Sequence, residues 1–464
     1  VERVKDMKII VVGAGKVGYN ISRVLSSEDH DIVVVDKDPV ALQSVFDNLD
    51  AMGVVGNGAS ARVLEQVGVD EADMVIAVTD NDELNMIACM TAKQCGVRTT
   101  VARVRNREYM SSQPFGLSYT RFGIDVMVNP EDLAAQEIFR LIEVPMATDI
   151  EYFADGRLSL IGIKVSESFR VAGKRIRDMG LDRFTVVCII RDGKTLIPDG
   201  DTLVLPDDRM FVLGRTSGFD SLNGLTSLKK RVFDRIVIAG GGLITQSLVE
   251  ILYARHTIPQ VMVIDPNPET CKALAARFDS CQVMCADPAK MDLLEEEGVG
   301  VGDIFVAATG SDNSNLVSCM AAKRLGVSQM ICEISREDYI TLAEAVGVHA
   351  TITPRLLVVN TVLKLLRSSS VVSVNLLNSG DAEIMELVAE KDSPITKGLL
   401  KDLNIPKGVI IGSVIRGVTI IVPRGDTKIS SGDHVVVFAL HSVAGHAENL
   451  FRAQGAGRES SYAS

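Results

Sequence analysis

The chain of 464 residues carries 60 acidic against 48 basic side chains, a formal charge of -12, and that balance argues against a surface for nucleic acid or anionic lipid. Hydrophobic residues make up 47% and mean hydropathy is positive, yet they fall in short Val, Ile and Ala runs, none approaching the roughly 18 to 20 needed to span a bilayer. The length predicts several domains with sizeable cores. No stretch has the basic start, apolar middle and small-residue cleavage site of a signal peptide, so a cytoplasmic protein is expected, with its strand opening directly at Met7. The eight cysteines include no C-x-x-C pair; Cys281 and Cys285 lie on one face if their segment is a strand, and all read as reduced core thiols.

From Lys8 the chain reads KIIVVGAGKVG, an apolar run of the right length for a buried parallel strand, broken by Gly13, Gly15 and Gly18 at the G-x-G-x-x-G spacing. The pattern predicts a strand, a tight turn and a helix start. Gly13 permits the turn, Gly15 lets the backbone approach a pyrophosphate, and Gly18 lets the helix lie close on its strand. The segment Gly13, Ala14, Gly15, Lys16, Val17, Gly18 then offers an anion unpaired amides and the positive end of a helix dipole. A second apolar run, 32–35, ends in Asp36, where a carboxylate can accept both ribose hydroxyls of an adenosine. Lys16 either neutralises a phosphate or is simply solvated. Lys37 would tolerate a 2′-phosphate that Asp36 repels, so NAD is favoured over NADP.

A helix over 39–49 and strands over 51–55 and 74–78 follow, the last ending in Thr79. The segment from Thr79 to Asn85 opens a helix to about residue 95 with acids in its first turn, and Asp82 and Asn85 are expected to cap that helix. Strands over 99–104 and 125–128 complete an α/β unit with a doubly wound parallel sheet, its Gly-rich turn and strand C-termini sharing the ligand edge. Arg103, hard to bury alone, must pair an acid or reach a ligand. A helix over 131–143 leads out of this unit. From Asp149 the texture changes to strands over 152–165, 184–191 and 210–213, with turns at Asp155-Gly156, Asp192-Gly193 and Asp199-Gly200 and one helix near 171–179. This is a small α+β module. Thr216 to Arg231 reads as a linker with a solvated basic run, Lys229 to Arg231.

Then the plan restarts. A strand over 235–239 enters Gly240-Gly241-Gly242, another over 261–264 ends in Asp265, and Thr309, Asp312 and Asn315 stand 230 residues after Thr79, Asp82 and Asn85. The small module repeats too. Pro198-Asp199-Gly200-Asp201-Thr202 returns as Pro423-Arg424-Gly425-Asp426-Thr427, and Arg191 and Asp208 return as Arg416 and Asp433, at an offset of 225. The halves differ where the ligand edge should be: Leu243 replaces Lys16, Thr245 replaces Gly18, and Glu333 stands 230 residues after Arg103. Thr245 is expected to crowd the helix against its strand and to spoil pyrophosphate fit before adenosine fit. The tail from Ala453, rich in Gly and Ser, is expected to be disordered.

This order of large, small, large, small, with the MKIIVVGAGKVG opening, the doubled T-x-x-D-x-x-N, the ADMVIAVT strand and the GVIIGSVIRG segment, resembles the tandem RCK (KTN) family, cytosolic regulatory subunits of bacterial Trk potassium uptake systems, from Met7 to about Arg452. The resemblance implies two Rossmann-like doubly wound domains at 7–130 and 234–353, each followed by a connecting helix (131–145, 354–371) and a small α+β RCK C-terminal domain (146–216, 372–452), with a linker at 217–233 and a tail at 453–464. It implies a non-enzymatic protein, peripheral on the cytosolic face of the inner membrane, that forms a homo-oligomer, a tetramer, and gates a membrane potassium transporter of the Trk type. Its implied cofactor is NAD(H), at Gly13, Ala14, Gly15, Lys16, Val17, Gly18, Asp36, Thr79 and Arg103, with ATP or ADP at a second set, Gly240, Gly242, Asp265 and Thr309. One departure is Asn57, where the family usually has an acid that the second half keeps as Asp287.

The alternative is an NAD-dependent oxidoreductase, which needs a substrate domain and an acid-base group near the nicotinamide. Histidines stand at 30, 256, 349, 434, 441 and 446, and no other motif marks any as catalytic. His349 is the best placed, although a satisfied surface or core histidine is the plainer reading. A structural scaffold with dead pockets remains open for the second half alone.

Overall fold

The computed structural model describes residues 7–453 except 27–29, 111–118, 146, 155, 168, 182, 219–232, 255–259, 337, 367–370, 377–381 and 418. Asp155, the run Lys229 to Arg231 and the tail beyond 453 therefore lie outside the described residues. The first unit runs β1 (Lys8–Val12), α1 (Lys16–Ser26), β2 (Asp31–Asp36), α2 (Pro39–Asn48), β3 (Met52–Val55), α3 (Ala61–Gln66), β4 (Met74–Ala77), α4 (Asp82–Gln94), β5 (Thr99–Arg103), α5 (Arg107–Met110) and β6 (Val126–Val128). Its strands form one parallel sheet in the order β3-β2-β1-β4-β5-β6. The chain crosses from one side of β1 to the other between β3 and β4, so the carboxyl ends of β1 and β4 flank the topological switch point where such sheets bind ligands. Both faces of β1 are covered, which is why it reads as an unbroken apolar run. Ile9 and Val11 pack with α1 and α2, and Ile10 and Val12 with Ala88 and Cys89 of α4.

After α6 (Pro130–Glu143), β7 (Asp149–Phe153), β8 (Leu158–Lys164), β9 (Phe184–Arg191), β10 (Lys194–Leu196) and β11 (Arg209–Arg215) form an antiparallel sheet in the order β10-β9-β11-β8-β7. The helix expected near 171–179 is not there. Gly173, at φ +75, turns the chain so that its N–H donates to the Val204 carbonyl at 2.8 Å and Arg175 bridges Leu203, leaving only one 3-10 turn at Ile176–Asp178. The strand expected over 152–165 is two, β7 and β8. The helix α6 begins one residue early, at Pro130, because Asn129 accepts from the amides of Glu131 and Asp132.

The second unit repeats the first: β12 (Arg235–Ala239), α7 (Leu243–Ala254), β13 (Gln260–Asp265), α8 (Pro268–Arg277), β14 (Cys281–Cys285), α9 (Met291–Glu296), β15 (Asp303–Ala307), α10 (Asp312–Arg324), β16 (Gln329–Glu333), α11 (Asp338–Val346) and β17 (Ala350–Ile352), in the order β14-β13-β12-β15-β16-β17. Beyond α12 (Pro354–Leu366) come β18 (Val371–Leu376), β19 (Ala382–Val388), β20 (Val409–Arg416), β21 (Thr419–Ile421), β22 (His434–Leu440) and α13 (Ala444–Phe451). Their sheet, β18-β19-β22-β20-β21, has the first module's topology. The repeated Arg and Asp form the same two-pronged ion pair in each: Arg191 Nε and Nη2 to Asp208, both at 2.7 Å, and Arg416 to Asp433 at 2.9 and 2.7 Å.

The connecting helices are exchanged between the halves. α6 carries Ala134, Ala135, Ile138 and Phe139 into a core with Ile236, Ile244 and Leu248 of the second unit. α12 does the converse, placing Val358, Val359 and Val362 in the core of the first unit with Val17, Ile21 and Leu25 of α1. The two small sheets also share a core, in which Leu160, Phe211 and Leu213 meet Ile384, Val436 and Phe438. In each, the ladder to the central strand slips by one residue, at Val187 on β9 and at Gly412 on β20. These bulges meet. A Cβ on Gly412 would stand 2.6 Å from Leu213 and 3.1 Å from Val187, so the second module is bare where the first presents its valine.

His349, just before β17, also joins the halves: its Nε2 lies 3.0 Å from the Ala147 carbonyl, which requires the proton on that nitrogen. Packing around the ring pushes the imidazole from 6.5 down to about 4. Between those values the unfolded chain binds a proton that the folded chain refuses. The contribution is full above pH 6.5 and is lost as pH falls toward 4. His349→Gln, which keeps an N–H for Ala147, should therefore lose less Tm than wild type between about pH 7 and about pH 5. Two parallel Tm curves would show that His349 does not set this slope.

Candidate functional site

The first glycine turn is built as its spacing requires. Gly13 sits at φ +109, a conformation costly for any side chain, and donates its N–H to the Val35 carbonyl at 2.8 Å. At Gly18 a Cβ would stand 1.8 Å from the Gly13 carbonyl oxygen, whereas nothing lies within 4 Å of one at Gly15. The turn is thus closed on its inner side and open at Gly15, which is exposed along with Lys16. The first intrahelical bond of α1 runs from Tyr19 N to Gly15 O, so the amides ahead of Tyr19 have no partner within the helix. Neither α1 nor α7 has an acid in its first turn, while α4 and α6 have two each. An anion at either turn would meet unpaired donors and no opposing carboxylate.

Asp36 ends β2 beside this turn. Its Oδ2 accepts from Ala14 N at 2.6 Å and its Oδ1 from Asp38 N at 2.9 Å, so the carboxylate also fastens the turn to the strand end. Asp265 does the same in the second unit, accepting from Gly241 N at 2.7 Å and Asn267 N at 2.8 Å. Asn57 and Asp287 make matching bonds, to Ala59 N at 3.0 Å and Ala289 N at 2.9 Å. The amide at 57 removes a charge and keeps the turn.

The doubled T-x-x-D-x-x-N motif does not cap a helix in the way its spacing suggested. Asn81 is the cap of α4, accepting from Leu84 N at 2.6 Å. Asp82 instead accepts from the amides of Arg105 and Asn106 beyond β5, at 2.9 and 2.8 Å. Asn85 is fully buried. Its Oδ1 accepts from Thr79 N and Thr79 Oγ1, and its Nδ2 donates to the carbonyls of Thr79 and Arg103. The Thr79 hydroxyl is therefore turned to Asn85, while the backbone of Thr79 forms the floor under Gly13. Thr309, Asp312 and Asn315 repeat this arrangement, tying β15 to β16. The sequence carried the motif; its role as a staple between strand ends is visible only in three dimensions.

Arg103 reaches back over that edge, with Nη1 3.1 Å from Asp80 and 3.3 Å from the Thr79 carbonyl. Its buried Nε has no hydrogen-bond partner among the described residues. Glu333 takes the same place in the second unit, with a buried Oε2 equally unpartnered among the described residues. Burial holds its carboxyl above the usual range, and the Asp312 and Glu131 carboxylates add to that. One edge thus presents a spare donor and the other a spare acceptor. Thr245 does not crowd its helix as expected: it is buried, and its hydroxyl donates to the Gly240 carbonyl at 2.6 Å, so the second turn accepts a side chain where the first has room for none. Gly242 is open like Gly15, and Leu243 is exposed where Lys16 stands in the first unit.

Sequence reasoning missed a cleft of about 680 Å³ between the units, where Asp82, Glu83 and Arg105 of the first face Leu243, Gln246 and Arg277 of the second. Arg107 closes one wall by bridging Asp132 of α6 and Glu250 of α7 and donating to Ser247 at 2.8 Å. Among the described residues, no group of three or more His, Cys, Asp or Glu could hold a metal ion.

Comparison with known proteins agrees with the repeat. The TrkA-N domain matches residues 9–130 and 236–354, and the TrkA-C domain residues 160–225 and 384–452. The chain is 34% identical to the "Trk system potassium uptake protein TrkA homolog 1" of Methanosarcina mazei over 454 residues, covering 96% of this chain and all of that one. It is also 34% identical to the "Trk system potassium uptake protein TrkA" of Halomonas elongata over 442 residues, 94% of this chain and 96% of the relative. Among solved structures, the "GsuK channel bound to NAD" shares the fold at TM-score 0.60 and 17% identity, covering 97% of this chain and 80% of that one. The "Crystal Structure of the GsuK RCK domain" does so at 0.60 and 17%, covering 97% and 96%.

Gly18 and Gly15 separate the needs of the fold from those of a ligand. Gly18→Ala forces the helix off its strand and should lower stability by about 1 to 3 kcal/mol. Gly15→Asp meets open space, so its free energy of unfolding in urea should stay within the usual surface range, about 0.5 kcal/mol from wild type. Denaturant curves of the two variants check this, and equal losses would contradict the open side of the turn.

Proposed function

Because this chain belongs to the TrkA family, with its TrkA-N and TrkA-C domains each present twice, we propose that it is a nucleotide-binding regulatory subunit that gates a membrane potassium transporter of the Trk type. The observation that carries the reading is the first turn: open at Gly15, headed by unpaired amides of α1, free of first-turn acids, and flanked by Asp36 at the switch point of the sheet. NAD(H) is its ligand in this reading. Gly13, Ala14, Gly15, Lys16, Val17 and Gly18 would cradle the pyrophosphate and Asp36 a ribose, while Thr79 supports the turn and Arg103 offers its spare Nε to an acceptor. The second turn, at Gly240, Gly242 and Asp265 above Thr309, takes ATP or ADP. Glu333 and Leu243 remove positive charge there, which disfavours a second pyrophosphate clamp.

Among the described residues no helix is long and apolar enough to cross a membrane, so permeation is assigned to a partner, against which the protein sits on the cytosolic face as a homo-oligomer, a tetramer. Nucleotide acts by binding one arrangement of the units better than another, and the shift cannot exceed that difference in affinity. Hydride transfer is the weaker reading, since the best-placed histidine, His349, is engaged with Ala147 at the junction of the halves.

Asp36 and Asp265 make equivalent pairs of backbone bonds, so their alanine variants should lose comparable stability and differ in ligand. By titration of the full chain, Asp36→Ala should weaken NAD(H) binding more, by about 1 to 3 kcal/mol; equal losses would sink the assignment of NAD(H) to the first turn. Deleting the gene should lower cellular potassium uptake, wild type should restore it, and Gly15→Asp should restore it poorly. Undiminished uptake in the deletion strain, with no second copy of the gene, would remove the regulatory reading.

A further inference from the structure

The reading of all cysteines as core thiols fails at Cys285, which is exposed because it closes β14, the edge strand of the second sheet. Cys271, on α8, is buried beside it. The register of β13 and β14 sets Asp265 opposite Cys285. The Cys271 thiol donates to the Asp265 carbonyl at 3.2 Å and lies 3.7 Å from the Met284 carbonyl, while the Cys285 thiol lies 3.9 Å from the Pro266 carbonyl. The two thiols thus reach adjacent carbonyls at the end of β13, those of Asp265 and Pro266. Both sulfurs therefore surround the residue whose carboxylate fastens the second glycine turn. In the first half these places hold Leu42 and Val55, so the pair belongs to the second half alone.

We propose that Cys271 and Cys285 are a redox-active dithiol at the rim of the second turn, closed to a disulfide by a low-molecular-weight disulfide of the glutathione class, and that closure weakens nucleotide binding there. The exposed Cys285, as thiolate, attacks one sulfur of the oxidant; that S–S bond breaks, one small thiolate leaves, and a mixed disulfide remains on Cys285. Cys271 then gives up its proton and attacks the Cys285 sulfur, releasing the second small thiolate. The two protein thiols lose two electrons and two protons, and the oxidant becomes two thiols. Burial pushes the Cys271 thiol up to about 11, which suits it to the second, resolving step rather than to the first attack.

Closure draws the sulfurs to about 2 Å and removes the S–H that Cys271 gives to Asp265. It also pulls on α8, whose Thr270 and Leu274 side chains stand 2.7 Å from where a Cβ on Gly241 would be. The wall of the turn moves with the helix. The effect on nucleotide rests on the function proposed above, whereas the disulfide does not.

The test uses the full chain carrying Asp36→Ala, so that ADP reports on the second turn, treated with oxidised glutathione. We expect a cross-linked peptide joining Cys271 and Cys285, reversed by dithiothreitol, and ADP affinity weakened roughly two- to tenfold, the scale of one hydrogen bond. Cys285→Ser should abolish both effects and leave ADP affinity under reducing conditions unchanged. Glutathione adducts on Cys285 without the cross-link would overturn the dithiol, and a cross-link with unchanged ADP affinity would overturn the coupling. If the reduced protein binds no ADP, the nucleotide reading of this turn fails, and peptide mapping alone still decides the dithiol.

Discussion

Asn85 and Asn315 each commit a carboxamide to a threonine just past the end of one strand and to the backbone carbonyl that ends its neighbour. Deep in an apolar sheet such a group is tolerable only when it is hydrogen-bonded, and here oxygen and nitrogen both are, by Thr79 and Arg103 in the first unit and by Thr309 and Glu333 in the second. The effect is to fix the level at which the strands stop. Gly13 and Gly240 then rest on backbone held by these staples, and the aspartates at the ends of β2 and β13 fasten the turns from the other side. The geometry of each glycine turn is thus imposed from two directions before any ligand arrives, which is the condition for binding without a large ordering cost.

Exchange of α6 and α12 makes the two turns parts of one body. α6 leaves the first unit close to Arg105 and Arg107 and ends in the core of the second; α12 leaves the second and packs on α1, the helix that starts at the first turn. A displacement of either glycine turn must be taken up by a helix that belongs, in sequence, to the other half. Packed cores pass on such shifts because they are close to incompressible. The small sheets, sharing a core of their own, close the loop at the far end of the chain.

The parallel sheets were legible because a strand covered on both faces must be apolar along its length, and glycine had to fall at Gly13, where φ is positive, and at Gly18, where a Cβ cannot fit. The repeat at offsets of 230 and 225 was legible for the same reason, since turns and ion pairs such as Arg191 with Asp208 demand particular residues. What escaped the sequence depends on partners distant along the chain. Asp82 has the spacing of a cap, but the amides it accepts from lie beyond the next strand. Thr245 looked obstructive until its hydroxyl found the Gly240 carbonyl. Gly173 outweighed a helical pattern by turning the chain toward Val204. Nothing in the apolar stripe of α6 or α12 says which sheet it will cover, because either core accepts Ala, Val and Ile equally well.

The exchanged helices have a further consequence for how the chain can change over time. Two separate copies of one half, joined through swapped helices, would be bound to symmetry, and any substitution at a turn would be present at both turns at once. With the halves on one chain, each position is inherited singly. Lys16 has a leucine as its counterpart, Gly18 a threonine, Arg103 a glutamate, and Val187 a glycine, and none of these differences forces a matching one in the other half. Covalent union lets the two turns carry dissimilar side chains while the architecture that holds them stands in duplicate.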